Sequence, residues 1–167
     1  MPLFQTMPDA LTMSNHFDSA GNARMVDVSA KPVTIRTATA AGRIVMKPET
    51  LLMIKNGTVS KGDVLGIARI AAINAVKLTP SLILLCHTIL IDAVDVRFSF
   101  LDDVTLDCEV DVRSTGRTGV EMESLTGVVA ACLTVYDMCK SVDRGMTIER
   151  MRLLAKDGGQ SGRFSAV

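Results

Sequence analysis

The chain has 167 residues, enough for one domain with a substantial core and too few for two ordinary ones. Eighteen Lys and Arg balance eighteen Asp and Glu, which excludes a chain built for sequence-independent attraction to nucleic acid or anionic membrane, so any basic site must be local. The composition is 48% apolar with no Trp, one Tyr and five Phe, so the core is expected to consist of Val, Ile, Leu, Ala and Met, with some apolar surface covered by another subunit.

Residues 1–25 mix Met, Ser, Asn, Asp and Gly without periodicity and read as a flexible arm, ahead of one domain over 26–164 and a short tail over 165–167. The start of the chain has no basic n-region, and no later segment reaches eighteen residues without a charge. A soluble, cytoplasmic protein without a membrane span is therefore expected. Short extended pieces are predicted near Val33–Ile35 and Arg43–Met46. Pro48 suits the first helical position ahead of ETLLMIKN, and Gly57 ends that helix. After the loop TVSKGD, the segment GDVLGIARIAAINAVKLTP reads as a second helix with Asp63 at its N-terminus and Pro80 at its end. Val64, Ile67, Ala68, Ala71, Ala75 and Leu78 recur at helical spacing and are expected to form its core face.

Beyond Leu82 the period changes. Val94, Val96, Phe98 and Phe100 alternate with Asp95, Arg97 and Ser99 as in a half-buried strand. Leu101-Asp102-Asp103 supplies a tight turn, and Leu106, Cys108, Val110 and Val112 point inward from a second strand, completing an antiparallel hairpin. The segment from Gly119 to Gly145 reads as a long helix without charge from Leu125 to Tyr136, and MTIERMRLLAKDGG as a last strand. Together these elements predict an α+β fold, a ferredoxin-like sandwich of an antiparallel sheet with helices packed on one face.

Chemistry must come from few residues. Cys86, Cys108, Cys132 and Cys139 lie in apolar stretches without C-x-x-C spacing and read as reduced structural thiols. The loop Gly57–Asp63 departs from a P-loop because Lys61 precedes Gly62, so it is either a surface loop or a simpler anion contact at a helix N-terminus. His87 in LLCHTIL is either a satisfied core residue or a ligand contact, and no H-x-x-H or C-x-x-C partner makes it a metal site. Glu121 and Glu123 suit a helix start, and Asp137 with Lys140 suits an i, i+3 ion pair. On one straight helix Glu123 and Asp137 would lie roughly 21 Å apart at 1.5 Å per residue. That separation fits a long polyanionic ligand or a site that joins subunits. Lys61, Arg117, Lys140 and Lys156 are then candidate cations for phosphates, with Asp137 a candidate acid or base.

Taken in order, MVDVSAK, SKGDVLGIARIAAINAVK, LLCHTIL, TGRTGVEMESLT, YDMCKSVD and RLLAKDGGQSG resemble the molybdenum cofactor biosynthesis protein C family, the cyclic pyranopterin monophosphate synthases, from about Asn15 to Phe164. The resemblance implies a ferredoxin-like subunit in a homohexamer, a trimer of dimers, with the active site at the dimer interface. It implies conversion of a GTP-derived (8S)-3',8-cyclo-7,8-dihydroguanosine 5'-triphosphate to cyclic pyranopterin monophosphate and diphosphate, a lyase reaction. Carried over by motif, Asp137, Lys140 and Lys61 are the acid/base and phosphate-handling residues, while Leu85, Cys86, His87, Glu121, Met122, Glu123 and Lys156 contact substrate. No resident cofactor is implied, although a divalent cation such as Mg2+ could accompany the triphosphate without a dedicated protein site.

The sequence departs from the family pattern at Leu84 and Thr88, where prolines are common on either side of the Cys-His pair, which frees the backbone around His87. Gln160 stands for a usual Lys, and Arg117 for Lys keeps its charge. A ligand-binding scaffold without turnover is the rival reading, supported only by the altered LLCHTIL loop. A metal-dependent phosphohydrolase would need a carboxylate and histidine cluster that the sequence does not show.

Overall fold

The computed structural model describes residues 16–166, so the first fifteen residues of the expected arm lie outside the described residues. The elements are β1 (Thr34–Val45), α1 (Pro48–Lys55), α2 (Val64–Leu82), β2 (Ala93–Phe100), β3 (Thr105–Gly116), α3 (Glu121–Cys139), β4 (Thr147–Asp157) and the short β5 (Phe164–Ser165). One antiparallel sheet has the order β2-β3-β1-β4-β5, with β3 inserted between the two strands joined through α1 and α2. This is the split β-α-β arrangement of a ferredoxin-like sandwich, and the helices cover one face.

β1 is a single twelve-residue strand rather than two short extended pieces. Its middle, Ala38 to Gly42, has weak strand propensity, but the segment is paired with β3 on one side and β4 on the other, and the two ladders override local preference. The small side chains also admit the helices closely. Gly127 of α3 shows the same requirement, since a Cβ there would stand 3.0 Å from both Val110 of β3 and Val76 of α2. Around this contact Ala38, Ala40, Ala72, Val76, Val110, Val128 and Cys132 form one buried cluster. Ile44, Leu51, Val64, Leu106, Val135 and Met138 form another toward α1.

α2 begins as expected, with the Asp63 carboxylate accepting a hydrogen bond from the Gly66 N–H at 2.9 Å. Pro80 does not end it. The helix continues to Leu82 because proline's fixed φ is helical and, this near the end, costs only the bond its missing N–H would have made. The buried face is also rotated from the expected one. Val64, Ala68, Ala72, Val76 and Thr79 face the core, whereas Ile67, Ile70, Leu78 and Leu82 are exposed. Two adjacent apolar stripes compete in this helix, and the one rich in alanine allows the closer approach. Phe100, expected inward, is exposed at the end of β2, where the Lys55 ammonium stands 5.8 Å from its ring centroid.

α3 is long and apolar enough to cross a membrane by length and composition, but Ser124, Gly127, Val128, Ala131, Cys132 and Val135 are buried within the fold. The other sheet face is polar. There Arg43 meets Asp107 at 2.9 Å, and Arg97 meets Glu109 at 2.8 Å and also Asp111.

Asp143 ties the start of α1 to the approach to β4. α1 has no side-chain cap of its own, and Asp143, from the turn after α3, supplies one. Its carboxylate accepts from the Lys47 N–H at 2.8 Å, the Gly145 N–H at 3.1 Å and the Thr50 hydroxyl at 3.4 Å, with the residue only 2% exposed. The Lys47 N–H foremost, with the Gly145 N–H, holds this carboxyl below the usual aspartate range. A folded pKa below the unfolded one means that the stabilisation is complete above the ordinary carboxylate range and is lost as pH falls through the lowered value. Asp143→Ala strands these donors and is expected to cost about 3 kcal/mol. In thermal melts at neutral pH this corresponds to a drop of about 10 °C. The gap should narrow in acid, and a gap independent of pH would contradict the carboxylate's role.

Candidate functional site

The residues singled out from the sequence gather at the two ends of α3. At its N-terminal end the chain leaving α2 brings Leu85, Cys86 and His87 against Glu121, Met122 and Glu123, and these line a cavity of about 400 Å³ together with Lys31 and Thr118. Glu123 is 2% exposed, and its Oε1 has no hydrogen-bond partner among the described residues. Burial, reinforced by the neighbouring Glu121, pushes its carboxyl pKa up. Burial of this kind disfavours the ionised form.

His87 Nε2 lies 2.7 Å from the Val26 carbonyl. A carbonyl only accepts, so Nε2 carries the proton, and a neutral ring leaves Nδ1 as an acceptor. Burial and the Glu123 charge push the Cys86 thiol up, so it stays protonated and serves as a contact rather than a nucleophile. Lys156 belongs to the same end. Its ammonium donates to the Ser161 hydroxyl and stands 4.0 Å from Glu121 Oε1.

At the other end of α3, Asp137 receives two lysines. Lys140 Nζ reaches Oδ1 at 2.6 Å, and Lys61, from the loop before α2, reaches Oδ2 at 3.4 Å and the Asp137 carbonyl at 2.7 Å. Lys140 first, then Lys61, holds the Asp137 carboxyl below the usual range. All three side chains are exposed, so this is an open charged cluster, contributing little to stability. Within one chain the two groups stay apart, because a rigid helix separates Glu123 from Asp137 by roughly 21 Å.

Sequence reasoning missed Lys31 and Arg36. Arg36 is 7% exposed and lies on the core-facing side of β1 in step with Ala38 and Ala40. A charge at a core-facing register is the signal that could have drawn attention to it. Among the described residues no group of three His, Cys, Asp or Glu side chains is placed to hold a metal ion.

The family model of the MoaC family matches residues 25–159, which spans both ends of α3 and every residue named in this site except Ser161. The chain belongs to the MoaC family. It is 52% identical over 150 residues to the cyclic pyranopterin monophosphate synthase of Natranaerobius thermophilus, covering 89% of this chain and 94% of that protein. The synthase of the same name from Chloroflexus aurantiacus is 52% identical over 158 residues, covering 93% and 96%. That from Desulforamulus reducens is 50% identical over 149 residues, covering 89% and 91%. The chain therefore spans nearly the full length of these MoaC relatives.

The charge cluster at Asp137 is testable by itself. In carboxylate-detected NMR titrations Asp137 is expected to titrate below ordinary aspartates. Lys140→Met should raise its pKa more than Lys61→Met does, following the shorter contact. Equal, negligible shifts in both variants would show that the lysines do not hold this carboxylate.

Proposed function

We propose that this chain is a cyclic pyranopterin monophosphate synthase. It would convert (8S)-3',8-cyclo-7,8-dihydroguanosine 5'-triphosphate to cyclic pyranopterin monophosphate and diphosphate as a soluble cytoplasmic lyase whose catalytic domain is residues 26–164. Identity near half to curated synthases over nearly the whole length supports the reading. The observation that carries it in the fold is the pairing of a mixed apolar and carboxylate cavity at one end of α3 with a Lys-Asp-Lys cluster at the other.

The residues suit the steps. Rebuilding a purine-derived ring needs protons given and taken at several atoms. Glu123, whose carboxyl pKa burial pushes up, and His87, with Nδ1 as an acceptor, suit a heterocycle seated among Leu85, Cys86 and Met122. Closing a cyclic phosphate expels diphosphate and concentrates negative charge on the leaving oxygen, which Lys61 and Lys140 are suited to stabilise. Asp137, kept ionised between them, suits the role of base.

In this reading these groups meet across two copies. On α3 the residues Met122, Thr126, Val129, Leu133, Asp137 and Lys140 fall on one stripe, and Val129 and Leu133 are exposed. A twofold axis through the middle of that stripe, near Ala130, would pair two α3 helices antiparallel. It would bring Asp137 of one copy to the level of Glu123 of the other, giving two composite sites per dimer. The exposed apolar residues of α2 would supply further surface for the homohexamer, a trimer of dimers, that this reading entails.

Single-turnover assays with the cyclised triphosphate, following diphosphate release and pterin fluorescence after oxidation, test the reaction. Wild type should form product, and Asp137→Asn should slow it by about 10²- to 10⁴-fold. Tight binding without diphosphate from the wild type would instead make the chain a ligand-binding scaffold. Mixing subunits tests the shared site. Asp137→Asn and Glu123→Gln, each inactive alone, should on subunit exchange recover about a quarter of wild-type activity, since half the dimers are mixed and each keeps one intact site. No recovery despite demonstrated exchange would place the whole site within one chain.

A further inference from the structure

The stretch 83–92, which carries Cys86 and His87 from the end of α2 to the start of β2, has no regular secondary structure. Its ends are fixed by backbone hydrogen bonds. The Ile83 N–H donates to the Thr79 carbonyl at 2.9 Å, the Cys86 N–H to the Ile83 carbonyl at 3.0 Å, and the Asp92 N–H to the Arg113 carbonyl at 2.9 Å. From His87 to Ile91 no backbone–backbone hydrogen bond is made among the described residues. Ile89 and Ile91 pack against the core, while Leu84 and Leu90 stand out in solvent. Apolar contacts are non-directional, so by themselves they leave such a segment free to shift along the core.

Ser114 supplies the missing direction. It lies on β3 in step with Val110 and Val112, on the core-facing side, and is 0% exposed. A hydroxyl in an apolar row is costly unless it is hydrogen-bonded. The partner comes from the His87 segment, where the Leu90 carbonyl accepts from the Ser114 Oγ at 2.8 Å. The next residue, Thr115, points to the other side of the strand and donates from Oγ1 to Asp92 Oδ2 at 2.7 Å. β3 thus grips the segment at two residues, and the Ser114 bond is the less exposed of the two and meets less competition from water. Leu90 is three residues beyond His87, whose ring is held at Nε2 by the Val26 carbonyl.

We propose that Ser114 is a positioning residue for the His87 segment, holding Cys86 and His87, through the Leu90 carbonyl, in the arrangement that receives the heterocycle. The inference rests on the synthase reading for what these side chains contact, and goes beyond it by giving a role to a residue that does not line the cavity. The turn at the start of the segment shows why such a clasp is needed. Leu84 takes the second position of the turn closed by the Cys86 N–H, where a proline would stiffen the chain. Ile83, at φ −111° and ψ 95°, already has the extended backbone that precedes a proline, and the Leu84 N–H makes no hydrogen bond among the described residues. Stiffening by a proline and one net hydrogen bond each shift a local equilibrium by about fivefold, so one can stand in for the other.

Amide hydrogen exchange on the intact, ligand-free protein reads the clasp without turnover. Ser114→Ala should speed exchange of the Cys86 and Asp92 amides by about fivefold. Asn56, at the end of α1, opens without disturbing Ser114 and should exchange as before. In turnover Ser114→Ala should raise KM by about threefold to fivefold and lower kcat by less than about twofold, because bound substrate holds the segment in place once the site is saturated. Leu84→Pro added to Ser114→Ala should recover both the KM and the slow exchange of Cys86, a recovery that simple loss of packing around Ser114 would not show. If Ser114→Ala does not fold, Ser114→Cys, close in shape and a weaker donor, should give the same changes in smaller measure. Unchanged exchange at Cys86 and Asp92 in these variants, or a raised KM that Leu84→Pro does not reverse, would overturn the positioning role. Faster exchange in them, with a wild type that cannot turn the substrate over, would keep the clasp and overturn the synthase.

Discussion

The buried side of α3 is the constraint on which the rest depends. Gly127 sits where a single added carbon would touch both Val76 and Val110, so the helix is wedged between α2 and the sheet and cannot slide or bend without opening the core. A helix held in this way works as a ruler. Its first turn delivers Glu121 and Glu123, its last turn delivers Asp137, and the distance between them is fixed by helical rise rather than by loops. In the proposed reaction, mobile supports would hold neither end to the tolerance that proton transfer needs.

The same wedge decides the character of each end. Ser124 and Glu123 are drawn into the body of the protein where α3 meets the chain leaving α2, and that burial is what lifts the Glu123 pKa. Asp137 lies on the exposed side of the same helix, where solvent screens it and two lysines hold it ionised. Two carboxyl groups on one helix are thereby pushed in opposite directions by their surroundings. Such a split is how one fold provides an acid and a base at the same pH.

Much of this was legible in the sequence. Alternation over 93–115 gave the hairpin, Asp63 and Pro48 marked helix starts, and the motifs around His87, Glu123 and Asp137 named the residues that the fold then gathers into two groups. What could not be read locally depended on partners in space. The continuity of β1 comes from ladders on both of its edges, and its Ala-rich middle gives no sign of them. The choice between two apolar stripes on α2 was settled by which side chains allow close approach, since periodicity alone admits both. Arg36 escaped notice because a single arginine in a strand resembles any solvent-facing charge until the register places it beside Ala38 and Ala40.

The surplus stripe of α2 and the stripe along α3 then acquire a common meaning. A subunit that needed only to fold would have little reason to keep Ile67, Ile70, Leu78 and Leu82 exposed beside Val129 and Leu133. In the proposed dimer the polar ends of the α3 stripe are the functional groups, and its apolar middle is the contact that brings them together. Association and assembly of the site would then be one event. In that proposed arrangement a subunit that fails to pair would hold the cavity without Asp137 and Asp137 without the cavity, so turnover would be confined to the assembled protein.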